Sequence, residues 1–332
     1  MWPDWARSAG RGAKNYFRGY PVIASIEVTH GCTAACRHCN LAGPLPDERR
    51  ASPREYAELL RAVGSPPYVQ ISGGEPLSRP DVFDVIRAVK GTDPVPVIIF
   101  VTNGSLLDVT TYQRLLEAGV ERISVSLDFP DERHDAFRRS PGLFRHLSEV
   151  LPEIARQHGG GCRVALNTAI TKANFADVVD IAYVARDWGV GLSYSAYTTT
   201  KNGDASLMLS ADDTRALAGL MDEVIALKAR GLNILNPPSL LKRTVRYFAD
   251  GKIPHCGAGK RFLVIRPDGA LIPCSSFQHA RYPSVAAMRA FVDQNECGAC
   301  YVAIRAYVDR KPLEFLGDTV HLLKAALAVN SR

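Results

Sequence analysis

Several features of secreted, membrane-spanning and nucleic-acid-binding proteins are missing from this 332-residue sequence. No stretch approaches the ~20 apolar residues that a membrane-spanning helix needs, and the N-terminus has no apolar core followed by a cleavage site. Lysine and arginine outnumber aspartate and glutamate only modestly, 40 against 34, and they form no basic block interleaved with aromatics. We therefore expect a cytoplasmic protein that does not bind nucleic acid.

Cysteine is the residue type whose distribution is informative. The chain has eight cysteines, an even number that would suit a secreted disulfide scaffold. Seven of them fall into two regions, as a C-x3-C-x2-C unit near the N-terminus and as two separate cysteines followed by a C-x2-C unit near the C-terminus. Such clustering is typical of metal ligands in a reducing compartment. The eighth, Cys162, is interpreted as an unligated thiol.

The N-terminal unit directly follows a β-branched run at residues 22–28. This run has no helical period, so it predicts a buried strand, with Cys32, Cys36 and Cys39 on the loop that leaves it. Three thiolates on one loop can hold three corners of a cubane iron–sulfur cluster and leave the fourth iron open. A zinc knuckle or three buried core thiols are the alternatives, but zinc normally takes four ligands and this loop has one C-x2-C pair.

The C-x3-C-x2-C loop after a first strand resembles that of the radical S-adenosylmethionine (radical SAM) enzymes. In that family the open iron is chelated by the amino and carboxylate groups of the methionine part of SAM. The resemblance implies a 4Fe-4S cluster on Cys32, Cys36 and Cys39 and an electron donor such as flavodoxin or ferredoxin. It further implies reductive cleavage of SAM to a 5′-deoxyadenosyl radical, which removes a hydrogen atom from a substrate carbon.

Beyond residue 20 the pattern alternates between short β-branched runs and longer amphipathic runs. Strands are predicted at 22–28, 68–72, 96–102, 122–127, 163–170 and 191–196. Helices are predicted near 53–63, 80–90, 108–118, 142–157, 174–188 and 210–230. Six βα units in series predict an α/β fold with a parallel sheet. Six rather than eight units fit the partial (β/α)6 TIM-like barrel that the resemblance implies, with the functional site at the carboxyl ends of the strands.

A G-G-E triplet follows the second predicted strand, about one βα unit after the cysteine loop. Gly73 and Gly74 would let a ligand approach the backbone closely, and Glu75 would supply an anion for an ammonium group. A plain βα turn is the alternative, because the triplet alone is a weak signal. The radical SAM family places here the motif that binds the SAM amino group, and the resemblance gives that role to these three residues.

The resemblance assigns further SAM contacts to the cysteine loop and to the ends of the next strands. His38 fills the slot where the family usually has an aromatic side chain near adenine, with a metal-ligand role as the alternative. Asn103 lies in a tight turn after the third strand, and Ser126 would help to hold SAM. Asp128 would face SAM or the substrate. Arg138, in an H-D-x-x-R segment like that of the family, would pair with the SAM carboxylate or be a solvated surface cation.

Candidates for the cavity wall lie on the fifth and sixth strands. They are Asn167 and Thr168 on the fifth, and Tyr194 and Tyr197 on and after the sixth. Core or rim filling is an equally good interpretation of all four.

We predict an N-terminal arm at 1–20, the barrel at 21–235, a linker and auxiliary domain at 236–312, and a C-terminal helix at 313–332.

The C-terminal cysteines surround a predicted hairpin. Cys256 precedes an apolar run, a Pro-Asp-Gly turn predicts the hairpin, and Cys274 follows its second strand. Cys297 and Cys300 form the later C-x2-C unit. These four cysteines could surround one metal centre, and the arrangement resembles the twitch module, the shortened SPASM domain that holds an auxiliary 4Fe-4S cluster. Zinc is the alternative metal at this site. With four thiolates available, we expect a closed cluster that transfers electrons, and a second auxiliary cluster cannot be built.

The substrate is the least specified part of the interpretation. Twitch and SPASM proteins often modify peptides, so a ribosomal peptide is one class, and a small natural-product precursor is another. A lipid is the third class, because the N-terminal arm mixes aromatics with cations and could lie on a membrane surface. From a different functional class, the chain could be a non-enzymatic iron–sulfur electron carrier or a zinc-stabilised scaffold, and the G-G-E motif disfavours both.

Overall fold

The computed structural model describes the backbone of residues 4–309 and the side chains of residues 10–309. Its centre is one eight-stranded sheet with the strand order β6-β5-β4-β3-β2-β1-β7-β8. The strands are β1 Ile23–Glu27, β2 Tyr68–Ser72, β3 Val97–Thr102, β4 Arg122–Ser126, β5 Val164–Ile170, β6 Gly191–Ala196, β7 Phe262–Ile265 and β8 Leu271–Ile272. The first six pair in parallel in chain order, as the six predicted βα units require.

Eleven helices are described, and most of those between the first and the seventh strand pack on the apolar face of the sheet. They are α1 Asp4–Arg18, α2 Pro53–Ala62, α3 Val82–Lys90, α4 Val109–Ala118, α5 Arg133–Arg138, α6 Leu143–His158, α7 Val178–Asp187, α8 Ala211–Ala229, α9 Pro238–Asp250, α10 Arg289–Gln294 and α11 Ala303–Val308. Ser52 and Ser210 close capping boxes at the starts of α2 and α8. The α/β fold is confirmed, and these two helix starts lie where the sequence predicts them.

The C-terminal hairpin is continuous with the barrel sheet. Strand β7 pairs in parallel with β1, and β8 returns antiparallel beside β7. At the opposite edge, Ile234 forms a single bridge with Leu192 of β6 and extends the sheet by one contact. The cysteine-bearing C-terminal unit is therefore hydrogen-bonded directly to the strand that precedes the first cysteine loop.

The two faces of the sheet differ in chemistry. The helix-facing side chains, such as Ile26, Ile71 and Phe100, are fully buried in a single apolar core. Except on β3, the side chains between them in sequence include polar ones on the concave face: Ser25, Gln70, Ser72, Ser124, Ser126, Asn167, Ser193 and Ser195. Hydrogen bonds between neighbouring strands join Ser25 with Gln70 and Ser72, and Asn167 with Ser193 and Ser195. This polar face opens towards the carboxyl ends of the strands.

The N-terminal helix α1 packs at the opposite end of the barrel. Asn15 donates to the carbonyls of Pro21 and Gly64, which lie just before β1 and just after α2. Arg261, just before β7, stacks on the ring of Tyr16 with 4.6 Å between its guanidinium carbon and the ring centroid. No helix within the described part of the chain is both long and apolar enough to cross a membrane. The helix predicted at 313–332 lies outside the described residues.

Candidate functional site

The loop that carries Cys32, Cys36 and Cys39 lies against the end of β2 through backbone contacts. Gly74 N–H donates to the Thr29 carbonyl at 2.7 Å, and Glu75 N–H donates to the Gly31 carbonyl at 2.9 Å. A Cβ on Gly74 would lie 2.1 Å from the Gly31 carbonyl oxygen, and one on Gly73 would lie 2.1 Å from the Thr29 carbonyl oxygen. Both positions therefore require glycine because the cysteine loop itself, rather than a ligand, closes on them.

Glu75 follows these two glycines in the turn after β2. Its carboxylate is fully buried and accepts hydrogen bonds from Thr102 Oγ1 at 2.8 Å, Asn103 N–H at 2.8 Å and Leu77 N–H at 3.1 Å. Burial raises the pKa of this carboxyl above its ordinary value. These contacts hold the end of β3 against the turn after β2. That Glu75 meets an ammonium group stays a prediction, since a carboxylate can accept about four hydrogen bonds.

Three N–H groups point at the three thiol sulfurs. Asn103 Nδ2 lies 3.8 Å from Cys32 Sγ, Arg138 Nη1 lies 3.7 Å from Cys36 Sγ, and the Leu41 amide lies 3.4 Å from Cys39 Sγ. The three thiols are close enough to interact electrostatically. Burial raises the pKa of Cys36 to about 11 and also raises that of Cys32. These surroundings suit anionic sulfur that is bound to a metal cluster and accepts hydrogen bonds.

Arg138 is held by a second buried charge. Its Nη2 lies 2.7 Å from Asp128 Oδ2, and both side chains are buried. Burial alone would raise the pKa of Asp128, but the Arg138 guanidinium and other neighbours lower it below its ordinary value. Asp128 also accepts from the Ala169 amide at 3.2 Å. The buried pair rules out the alternative of Arg138 as a solvated surface cation. That Asp128 faces SAM or the substrate, and that Arg138 pairs with the SAM carboxylate, stay predictions.

His38 lies in an aromatic stack. The centroid of its ring is 5.1 Å from that of the Phe137 ring, and the angle between the two ring planes is 17°. Its Nδ1 is buried and has no hydrogen-bond partner among the described residues, and burial lowers its pKa to about 4. A neutral ring with an unsatisfied nitrogen is a ready hydrogen-bonding group for a bound ligand.

The candidate cavity residues divide by strand parity. Ser126 and Asn167 are direct partners in the β4–β5 register and belong to the polar concave face. Tyr194, by contrast, is 1% exposed, and its hydroxyl donates to the Val178 carbonyl of α7 at 2.5 Å. Its neighbours Ser193 and Ser195 occupy the concave face instead. This corrects the prediction that Tyr194 lines the cavity, because alternation along β6 turns it towards the helices, and Thr168 follows the same parity.

Tyr197 lies just beyond β6 in a small apolar cluster with Phe129, Phe137 and Leu207. Its hydroxyl is within hydrogen-bond distance of Asn202 Oδ1 at 2.7 Å and of the Asp204 carbonyl at 2.8 Å. Tyr197 thus positions the segment at 198–207, which follows it.

That segment, which the sequence did not single out, connects the two cysteine regions. Asn202 donates to the Arg37 carbonyl at 2.8 Å on the first cysteine loop. Thr198 Oγ1 lies 3.2 Å from the Ala299 carbonyl between the last two cysteines, and Thr200 Oγ1 lies 2.8 Å from Ser276 Oγ. No local motif signals these contacts, because each depends on residues distant in sequence.

The C-terminal cysteines come together at the base of the β7–β8 hairpin. The Cys256 amide donates to the Cys297 carbonyl at 3.3 Å, and Cys300 interacts electrostatically with Cys256, Cys274 and Cys297. Burial raises the pKa of Cys256 to about 12 and that of Cys274 to about 11. As thiols they are neutral, and a metal cluster would be needed to hold them as thiolates.

A buried arginine, which the sequence analysis missed, organises this second region. Arg305 is fully buried and donates to the carbonyls of Cys300 and Ile253, and its Nε donates to Asp309 Oδ2 at 3.1 Å. Asp309 also accepts from the Gly257 amide at 3.1 Å, next to Cys256. The R-x3-D spacing on one helical face, five residues after the last cysteine, is the signal that could have revealed this pair.

Both regions supply cysteine sulfur, the usual ligand of iron–sulfur clusters. Among the side chains of residues 10–309, no group of three or more His, Cys, Asp or Glu is gathered as the ligands of one metal ion would be. The first region offers three thiols with N–H groups aimed at them, and the second offers four.

Comparison with known proteins identifies a matching family model and several related sequences. A family model described as the radical SAM superfamily matches residues 26–184, from β1 into α7. AdoMet-dependent heme synthase from Methanosarcina barkeri is 33% identical over 201 residues, which cover 58% of this chain and 55% of that protein. PqqA peptide cyclase from Gluconobacter oxydans is 26% identical over 265 residues, covering 76% and 70%. The chain spans about half the length of the heme synthases that it matches.

Solved structures show the same fold. Streptococcus suis SuiB bound to S-adenosylmethionine superposes with a TM-score of 0.65 at 16% identity, covering 89% of this chain and 73% of that one. Native anSMEcpe with bound AdoMet and a peptide has a TM-score of 0.60 at 18% identity, covering 83% and 81%. The residues that match the family model include the three cysteines on the loop after β1 and the two glycines in the turn after β2. Residues 26–184 form a radical SAM domain.

Proposed function

We propose that the chain is a radical SAM enzyme that modifies a peptide or a small natural-product precursor. The observation that carries the proposal is the first cysteine loop, in which three thiols, each with an N–H donor, lie at the mouth of a polar concave sheet. A 4Fe-4S cluster on Cys32, Cys36 and Cys39 would bind SAM and supply a 5′-deoxyadenosyl radical that abstracts a substrate hydrogen atom. The protein's own residues would position this cluster and the bound SAM.

The residues around the loop orient and protect. Gly73 and Gly74 allow the loop backbone to close on β2, and Glu75 fixes the turn that carries Asn103. Arg138, held in place by Asp128, directs its Nη1 N–H at Cys36 Sγ and would stabilise that sulfur as a cluster ligand. His38 would offer its neutral Nδ1 to an adenine, and Ser126 and Asn167 would hydrogen-bond SAM or the substrate from the concave face.

The C-terminal region is proposed to hold an auxiliary 4Fe-4S cluster on Cys256, Cys274, Cys297 and Cys300. Four cysteines that interact with each other, with the buried Arg305 and Asp309 behind them, support a fully protected cluster. A closed cluster favours electron transfer to or from the substrate radical over substrate coordination. Substrate bound to an auxiliary iron, with one of these cysteines free, would contradict this role.

Peptides are the substrate class best supported by the relatives. A relative that covers 76% of this chain is named a PqqA peptide cyclase, and the SuiB fold has been solved with its precursor peptide. Other relatives of this chain are named GTP 3',8-cyclase, which keeps a small precursor as the second candidate. A lipid substrate fits less well, because α1 packs at the amino ends of the strands, away from the mouth of the site.

The proposal is tested anaerobically. Iron and sulfide are reconstituted into the protein, dithionite and SAM are added, and 5′-deoxyadenosine is quantified by chromatography. We expect its formation with the reconstituted protein and not with a Cys32→Ala, Cys36→Ala, Cys39→Ala variant. Absence of cleavage in a sample with full iron occupancy would remove the enzyme interpretation and favour an electron carrier.

A further inference from the structure

One pair of opposite charges at the mouth of the site lies outside every role proposed above. Glu27 is the last residue of β1, and alternation with Ser25 places its side chain on the concave face. Lys201 lies in the segment at 198–207 that connects the two cysteine regions. The two side chains interact electrostatically but are further apart than an ion pair. The mouth therefore holds an anion and a cation that are near each other without touching.

The Glu27 carboxylate is fixed from two sides. Its side chain is 6% exposed, its Oε2 lies 2.8 Å from His30 Nε2, and its Oε1 accepts from Ser275 Oγ at 2.8 Å. Burial would raise the pKa of Glu27, but the hydrogen bond with His30, the charge of Lys201 and the hydrogen bond from Ser275 lower it below its ordinary value. A carboxylate can accept about four hydrogen bonds. This anion therefore keeps acceptor capacity for a ligand.

Lys201 is fixed through its neighbours in sequence. Thr200 Oγ1 lies 2.8 Å from Ser276 Oγ beside the second cysteine region, and Asn202 donates to the Arg37 carbonyl of the first loop at 2.8 Å. The backbone is thus anchored on both sides of Lys201. Its own side chain is exposed and forms no hydrogen bond or ion pair with the side chains and backbone of residues 10–309. The ammonium group is therefore available to a ligand at the mouth.

Two opposite charges held apart in this way match a ligand that carries both charges itself. An isolated ammonium group would be attracted by Glu27 and repelled by Lys201, and an isolated carboxylate would meet the reverse. A group with both charges, inserted between the two side chains, would satisfy each of them. The contacts expected of SAM lie on the turns after β2 and β3 and at the end of β4, whereas Glu27 is joined to Ser275, which follows β8. This side of the mouth is thus left to the substrate.

We propose that Glu27 and Lys201 recognise a substrate group in which an ammonium lies next to a carboxylate. Glu27 would accept hydrogen bonds from the ammonium, and Lys201 would pair with the carboxylate. Two sources share this chemistry: the head group of a free α-amino acid, and neighbouring lysine and glutamate side chains of a peptide. The inference rests on the proposed function and narrows its substrate class.

The test measures binding by calorimetry to the reconstituted, SAM-loaded protein without reductant. For the free amino acid the probes are L-norleucine and its singly charged analogues pentylamine and hexanoate. For the peptide they are a lysyl-glutamate dipeptide blocked at both ends and its lysyl-glutamine analogue. We expect one doubly charged probe to bind about tenfold more tightly than its singly charged analogues. The probe that binds identifies the source of the group.

Variants assign the two charges. Glu27→Gln and Lys201→Met should each weaken binding of that doubly charged probe about tenfold, and Lys201→Arg should retain it. Lys14→Met is the matched control, because Lys14 is an exposed lysine on α1 at the opposite end of the barrel, and it should have no effect. Since no hydrogen bond or ion pair of the Lys201 side chain holds the described fold, its variants report on the ligand even if Glu27→Gln loses stability.

The inference would be overturned if no probe bound to the wild type, or if the wild type and both variants bound the doubly charged probe equally. A loss of SAM affinity in Lys201→Met would also overturn it, because Lys201 interacts electrostatically with His38 as well and would then belong to SAM. Cleavage of SAM by the wild type with dithionite tests the proposed function separately. Its absence would contradict that function, whereas the binding measurements do not depend on cleavage.

Discussion

The two cysteine regions of this chain are built in opposite ways. In the first, three thiols lie on one loop of eight residues, and backbone-to-backbone contacts at Gly73 and Gly74 hold that loop in place. In the second, four cysteines spread over residues 256–300 converge around a buried pair of charges, Arg305 and Asp309. Under the proposed function, local spacing would leave one cluster corner open in the first region, whereas tertiary assembly would supply four cysteine ligands in the second.

Removing the cysteines of each region should give the largest and most contrasting effects. Replacing Cys32, Cys36 and Cys39 by alanine should abolish SAM cleavage, because the open iron is lost. Replacing Cys256, Cys274, Cys297 and Cys300 should lower iron from about eight to about four atoms per chain, yet keep dithionite-driven SAM cleavage. Iron analysis and 5′-deoxyadenosine assays measure both. Loss of cleavage in the second variant, with four irons retained, would show that the two regions are not independent.

Arg305→Met tests the charge pair behind the second region. The variant removes the buried partner of Asp309 and leaves only Arg261, whose Nη1 lies 3.4 Å from Asp309 Oδ1. The free energy of unfolding should fall by about 3 kcal/mol, the low end for a broken buried pair. Because Arg305 also holds the Cys300 and Ile253 carbonyls, iron should be lost from the second region first. Denaturant unfolding and iron content are the measurements, with Arg246→Met, an exposed arginine paired with Asp250 on α9, as control. Unchanged stability and iron would contradict the role given to this arginine.

Gly74→Ala tests the backbone contact behind the first region. The added methyl group would meet the Gly31 carbonyl, so the loop must shift, at a cost of about 1–3 kcal/mol. We expect lower iron occupancy of the first region and weaker SAM binding, measured by iron content and calorimetry. Gly219→Ala on α8 is the control, because a Cβ there meets nothing within 4 Å. If Gly74→Ala bound SAM as the wild type does, the glycines would not serve loop closure.

Glu75→Gln should have the smallest effect of the four. All three of its partners donate hydrogen bonds, so the amide nitrogen of glutamine would face a donor and leave a buried group unsatisfied, costing about 1–3 kcal/mol. SAM affinity should fall only indirectly, through movement of Asn103. Thermal unfolding and calorimetry distinguish this from a direct contact. A large loss of SAM affinity without loss of stability would indicate that Glu75 contacts the SAM amino group directly.

Much of the fold follows from periodicity in the sequence, and less of the site does. The six barrel strands lie within one residue of their predicted bounds, because their alternate residues are apolar and face the core between clear turn signals. The pairing of β7 with β1 could not be predicted, since it depends on where the chain returns in space. Tyr194 was predicted to line the cavity, but it alternates with Ser193 and Ser195 and shares the buried face of Leu192 and Ala196. The roles of Glu75 and Asp128 rest on the family resemblance, and their buried partners could not be predicted because these are distant in sequence.

The central claim is that the first region has an open ligand position and the second does not. Electron paramagnetic resonance of the reduced clusters, with and without SAM, tests it in variants that keep only one region each. The account predicts that SAM changes the spectrum of the variant retaining Cys32, Cys36 and Cys39 and leaves unchanged that of the variant retaining the C-terminal four. A SAM-dependent change in the C-terminal cluster, or none in the first, would contradict it.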